Sequence, residues 1–194
     1  MNAPIPNLTH WKERCEMAAA FRWTARLNMH EAVAEAQRLI YREALALDEQ
    51  RWTDWLDGLH SEAVFWVPAW RSDHETTADP QREVSLIYCA GVQALRDRVD
   101  RVRGGRSPAG TPLPRTVHAV SNVLVEEASD TLLRATSVFT STVYDLRRGE
   151  SHAFVGRYEH RFVREAPGQA WRIGRKHVVL VNDRIPGMLD FYSV

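Results

Sequence analysis

Histidine is the residue type that first suggests chemistry here, with 8 among 194 residues. Their spacing argues against a shared metal. None lies three or four residues from another, so no helix can offer two imidazoles to one zinc ion. His152 and His160 fall on one face of an expected strand, but about 25 Å of extended chain would separate them. Neither Cys15 nor Cys89 has a histidine two residues away, which removes the tight ligand arrangement of a two-Cys, two-His iron–sulfur cluster. The two-histidine, one-carboxylate iron site has no recognisable local pattern. Gly-x-Gly-x-x-Gly, the P-loop and the Gly-x-Ser-x-Gly nucleophile turn are missing from the sequence. What stays open is acid–base chemistry by a positioned side chain in an enclosed pocket. Tyr41, Asp54, Asp57 and His118 are the candidates, and His118 fits either a general base or a hydrogen-bonded structural or interface histidine. Trp52, Trp55 and Trp66 could form an aromatic ligand box, but large aromatics dominate core burial, so packing is expected.

Side chains of this kind need a frame, and the chain supplies one between Arg115 and Asp183. Four long strands are expected: Arg115 to Glu127, Thr131 to Asp145, Ser151 to Arg164 and Ala170 to Asn182. In the first, Val117, Ala119, Ser121, Val123 and Val125 share a face. The second alternates Leu133, Ala135, Ser137, Phe139 and Val143 against Arg134, Thr136, Thr140 and Thr142. The third sets Phe154, Gly156, Tyr158 and Phe162 against Arg157, Glu159 and Arg161, and the fourth ends in the apolar run Val178 to Val181. A period of two marks sheet with one buried face, and the links at Ala128–Asp130, Arg147–Gly149 and Ala166–Gln169 have turn composition. Strands this long must twist and coil. Their concave face therefore needs helices.

The residues before the sheet supply those helices. Asn28 with Glu31 has the form of a capping box. Val33, Ala36, Ile40, Ala44 and Leu47 follow as an apolar stripe, with Arg38, Arg42 and Glu43 placed off it. Asp48 is expected to cap a short second helix holding Trp52, Trp55 and Leu56, broken at Gly58. Strands are expected over Glu62 to Val67 and Val84 to Cys89, with the polar stretch to Glu83 between them as a candidate binding loop. A third helix spans about Val92 to Arg103, and its alternating charges suit a solvated face rather than nucleic acid. Residues 1–27 form an N-terminal extension, with a loose helix from Thr9 to Arg26, and 28–194 a single domain. The tail from Met188 to Val194 is too apolar to be free and should dock on its own domain or on another chain.

Bulk properties narrow the partners. Lys plus Arg and Asp plus Glu balance at 25 each, which leaves no electrostatic footprint for nucleic acid or anionic membrane. No apolar run approaches the ~20 residues of a membrane span. The two distant cysteines favour neither a disulfide framework nor zinc. A soluble, cytoplasmic protein is expected.

Taken in order, several stretches resemble one family. They are Tyr41-Arg42-Glu43-Ala44 with Leu47-Asp48, Arg51-Trp52-x-x-Trp55-Leu56, Phe65-Trp66-Val67-Pro68 and Arg115-x-x-His118-x-x-Ser121-Asn122-Val123. Gly156-Arg157-Tyr158, Trp171-Arg172-Ile173, Lys176-x-Val178-x-Leu180 and Asn182-Asp183-x-Ile185-Pro186 follow. From about Glu31 to Asp190 the sequence resembles the small (β) subunit of aromatic-ring-hydroxylating dioxygenases, the Rieske non-haem iron oxygenases. Trp66-Val67-Pro68-Ala69-Trp70 with Asp79-Pro80 and Leu86-Ile87-Tyr88 is most similar to the benzoate and anthranilate group. The resemblance implies an α+β, cone-like fold: a long, strongly twisted antiparallel sheet with N-terminal helices on its concave face, as in ketosteroid isomerase and scytalone dehydratase. It implies no catalytic residue, cofactor or metal in this chain. A partner α subunit would carry the Rieske [2Fe–2S] cluster and mononuclear iron, as three α plus three β chains with β–β contacts, served by a reductase or ferredoxin. The complex would use NADH and O2 to dihydroxylate a benzoate-like aromatic. Trp70, Arg71, Arg115, His118, Asp183 and Arg184 are expected at or near subunit contacts. The alternative is a free-standing cone-fold isomerase or dehydratase with a pocket acid–base residue.

Overall fold

The computed structural model describes residues 28–105, 111–185, 187 and 189–194; the expectations for 1–27 and for Met188 lie outside them. Asn28 does cap a helix. Its side chain accepts from the His30 N–H at 3.2 Å, Glu31 accepts from the Asn28 N–H at 3.3 Å, and α1 runs Met29–Asp48. Helix α2 (Trp52–Asp57) ends at Gly58, and its N-cap position is taken by Arg51, without a side-chain cap, rather than by Asp48. Strands β1 (Leu59–Pro68) and β2 (Ser85–Ala90) precede α3 (Val92–Arg103). The long strands follow as β3 (Arg115–Ala128), β4 (Leu132–Asp145), β5 (Glu150–Val163) and β6 (Arg172–Leu180).

All six strands join one sheet in the order β2-β1-β6-β5-β4-β3, antiparallel except where β1 runs parallel to β6. Sequence alone did not give the parallel pair, because a parallel neighbour is set by the crossover and not by alternation. On β4 and β5 the expected inward faces hold: Leu133, Ala135, Phe139, Val143, Phe154, Tyr158 and Phe162 are buried. Ala32, Ala36, Ile40 and Leu47 of α1 join them in one core, which the tail residues Phe191, Tyr192 and Val194 also enter. The tail thus docks on its own domain. Phe154 and Tyr158 flank Gly156, where an added Cβ would overlap the Val179 carbonyl; glycine lets β5 and β6 approach there.

Strand β3 departs from the expected face. Thr116 is buried while Val117 is 65 % exposed, yet further along Val125 is buried again. Between the two, Asn122 adopts φ 54° and the β3–β4 register slips between Ser121 and Leu124. A bulge of this type puts an extra residue into one strand and flips the faces beyond it. Val117, Ala119 and Ser121 therefore face outward, and only Val123 and Val125 turn in. Asparagine tolerates the left-handed region as few non-glycine residues do. Asn122→Gly should leave unfolding by urea nearly unchanged, whereas Asn122→Val should cost about 1–2 kcal/mol.

Candidate functional site

Two polar constellations are buried inside the cone. The larger centres on Glu43, which follows Ile40 by three residues and precedes Leu47 by four, so that α1 turns it inward. It is 7 % exposed, against the expectation that it lay off the apolar stripe. Its Oε1 lies 3.1 Å from Lys176 Nζ and accepts from Trp55 Nε1 at 3.3 Å, while Oε2 lies 3.0 Å from His160 Nε2. Lys176 also donates to the Val194 carbonyl at 3.3 Å and sits 4.3 Å over the Tyr158 ring.

Electrostatics fix the protonation pattern. Burial alone would push the Glu43 carboxyl up, but the Lys176 charge and the His160 hydrogen bond outweigh it and hold the group well below the carboxylate range. Burial pushes His160 and Lys176 down, opposed in each by Glu43. A carboxylate can neutralise one cation here, and Lys176 is the nearer match to a full charge. His160 is then neutral, donating from Nε2 and leaving Nδ1 buried without a partner. Burial, followed by the Glu43 and Asp48 charges, raises Tyr158 well above the usual phenol range. The signals for this cluster were in the sequence. Lys176 has the parity of Val178 and Leu180, His160 that of Tyr158 and Phe162, and an inward lysine requires an acid.

The second constellation ties the end of α1 to the edge strand β3. The Asp48 carboxylate accepts from Thr116 Oγ1 at 2.9 Å and from the His118 backbone N–H at 2.9 Å, and it lies 2.6 Å from His118 Nδ1. Burial would raise Asp48, but its bonds to His118, then to Thr116, hold it low. The His118 side chain is only 1 % exposed and its Nε2 is buried without a partner. Asp48 thereby satisfies an edge N–H that would otherwise await another strand.

The four acid–base candidates are not brought together. Asp54 and Asp57 line a cleft of about 390 Å³ with Arg42, Glu43, Trp55 and Trp171, and neither Tyr41 nor His118 borders it. Asp54 is exposed and paired with Arg51 at 2.5 Å. Among the described residues, no three His, Cys, Asp or Glu side chains group closely enough to hold a metal ion.

The residues expected at contacts lie on the periphery, apart from His118. Trp70 is half-buried, bonded through Nε1 to the Leu180 carbonyl at 3.0 Å. Arg71 is exposed and bridges Glu75 at 2.6 Å and Glu83 at 3.2 Å. Glu83 in turn accepts from the Ala78 and Asp79 N–H groups, so the loop after β1 is tied to itself. Arg115, at the start of β3, is exposed, as are Asp183 and Arg184 just beyond the end of β6.

Comparison with known proteins gives this arrangement a context. The profile of the ring hydroxylating beta subunit family matches residues 42–187. The benzoate 1,2-dioxygenase subunit beta of Acinetobacter baylyi is 36% identical over 163 residues, 84% of this chain and 94% of that one. The anthranilate 1,2-dioxygenase small subunit of the same organism is 36% identical over 168 residues, 87% of this chain and 99% of that one. Among solved structures, the beta subunit of benzoate 1,2-dioxygenase from Burkholderia mallei superposes with a TM-score of 0.68. It is 32% identical over 83% of this chain and 96% of that one.

Proposed function

The chain belongs to the ring-hydroxylating β-subunit family and is a component of a multicomponent aromatic-ring dioxygenase, and on that premise we propose that it is the non-catalytic subunit that supports assembly of the iron-bearing α subunit. The α subunit would hold the Rieske [2Fe–2S] cluster and the mononuclear iron. Three α and three β chains would associate in the cytoplasm, with electrons from NADH arriving through a reductase or ferredoxin. Residues 28–194 serve as the working domain and 1–27 as its extension.

The observation that carries this reading is that the buried acid of the cone is fully engaged within the chain. In a pocket enzyme of this shape, a substrate would need the space beside Glu43, His160 and Lys176. Here Phe191, Tyr192 and Val194 pack the interior, each at most 2 % exposed, and although Glu43 borders the cleft of about 390 Å³, both its oxygens are engaged within the chain. A carboxylate fastened on both sides is a clasp between α1, β5 and β6 rather than a free base.

Relatives named for benzoate and for anthranilate match with equal identity. Their shared chemistry is an aromatic ring bearing a carboxylate, and a benzoate-like ring is the proposed substrate of the complex. Trp70, Arg71, Arg115, Asp183 and Arg184 are placed at or near subunit contacts, with His118 acting from beneath the edge of β3.

Native mass and iron content test the assignment. Expressed alone, the chain should be iron-free and without turnover; expressed with its large subunit, it should enter an iron-containing hetero-oligomer. Alanine at the exposed contact positions Arg71, Arg115, Asp183 and Arg184 should weaken that assembly while leaving the melting temperature of the chain alone within a few degrees. Turnover by the isolated chain, or indifference to the large subunit, would return the isomerase reading.

A further inference from the structure

The face of the sheet turned away from the helices is specified residue by residue by the strand register. Three rows crossing β3, β4 and β5 pair Val117 with Thr142 and Ala153, Ala119 with Thr140 and Val155, and Ser121 with Val138 and Arg157. Arg157 is the one charge in them. Of their apolar members Val117 is 65 % exposed and Val138 36 %, while Val155 is half-buried; beside them Val181, whose N–H donates to the Val155 carbonyl, is 68 % exposed. Toward the other end the character reverses. Arg134, Arg161 and Arg175 stand directly opposite one another on β4, β5 and β6.

Like charges on adjacent strands destabilise a sheet. Only Arg134 meets carboxylates, Glu126 and Glu127, each at 3.6 Å. Arg175 lies 5.6 Å over the Trp66 ring. Neither Arg157 nor Arg161 has a carboxylate within ion-pair distance among the described residues. An uncharged centre with arginines at its margin has the composition of a protein–protein contact, in which charge is depleted at the core and arginine is enriched. Glu159, on the row between Arg157 and Arg161, is turned to His177 at 2.8 Å, which leaves Arg157 and Arg161 free to meet acids of a partner.

We propose that this outer sheet face docks the large oxygenase subunit, through a surface on that subunit that is uncharged at its centre and carries carboxylates opposite Arg157 and the Arg134–Arg161–Arg175 row. The inference rests on the reading of the chain as an assembly subunit. A second copy of this chain fits worse. Two-fold pairing would set arginine rows against each other or bury them unpaired over the partner's valines, and both arrangements are unfavourable. Arg115, opposite Tyr144, extends the same face.

Co-expression with the large subunit tests this through two independent variants, Arg161→Glu combined with Arg175→Glu, and Val138→Asp. All three positions are solvent-exposed, so each variant alone should melt within a few degrees of the natural chain and keep its oligomeric state. Each should weaken hetero-assembly at least tenfold, and assembly of the natural pair should weaken as salt rises. If the natural pair assembles and both variants assemble as tightly, the face is not the docking surface, while the subunit reading stands. If the variants instead abolish self-association of the chain alone, the occupant is a second copy and the inference falls. If the natural pair never assembles, the subunit reading falls and takes this inference with it.

Discussion

Glu43→Leu should destabilise the isolated chain by about 3–5 kcal/mol, because removing one partner of a buried ion pair strands the other charge in the core. Lys176 would keep only the Val194 carbonyl at 3.3 Å and the Tyr158 ring, and the Trp55 and His160 N–H groups would lose their acceptor. A loss of that size is a large part of the 5–15 kcal/mol that holds a typical domain together. Adding Lys176→Met should restore most of it, since a buried pair replaced by apolar groups of similar volume is often neutral or better. Urea unfolding of the two singles and the double measures the coupling. Additive losses would show that Glu43 and Lys176 are not a pair.

The same cluster sets a direction for pH. Folded His160 is held below its ordinary 6.5, chiefly by burial and then by Lys176 against the pull of Glu43. The unfolded chain therefore binds a proton first as pH falls, and stability should decline from about pH 6.5 downward. Folded Glu43 is held below 4.5. Its contribution is present above that value and is lost as pH falls further, through the folded pKa. Replacing His160 by Gln should flatten the upper part of the decline and leave the lower part.

How far the sequence carried the fold can be judged from single residues. Alternation on β4 and β5 was legible because most inward positions are apolar, from Leu133 to Phe162, and most of their neighbours are polar, with Ser137, Ser141 and His160 inward and Val138 and Val155 outward as the exceptions. Strand β3 was not, because the face flip at Asn122 depends on one backbone angle, and a run of Val, Ala and Ser is equally acceptable on either side. Asp48 was misread as a helix cap because its partners, Thr116 and His118, lie about seventy residues away in the chain. Charge pairing over that distance has no local period. Glu43 was a different failure: its helical phase was correct for burial, and its charge overrode the phase. In each case local pattern succeeded where it agreed with burial, and it failed where a polar group was satisfied from afar.

Phe191→Ala is expected to have an effect of comparable size, for a reason that bears on what the fold can do. The Phe191 ring is fully buried, stacked on Trp55 at 4.7 Å and 19°, and edge-on to Trp52 at 5.4 Å. Truncating a buried phenylalanine costs about 3–5 kcal/mol through lost transfer energy and the cavity left behind. The neighbours can close that cavity only partly, because Trp55 is pinned through its indole N–H to Glu43. The tail is held by few other polar links, the Asp190 carboxylate to Arg98 at 3.0 Å and Lys176 to Val194 among them. Losing the ring should therefore loosen residues 190–194 as a unit, seen as faster amide exchange there and in α2 before global unfolding. If the fold survives, the variant has an opened interior bordered by Trp52, Trp55 and the Glu43 clasp, and a small aromatic such as indole should raise its melting temperature. The natural chain should show no such shift. A Phe191→Ala variant as stable as the natural chain would mean that the tail is an ornament of the cone and not its plug.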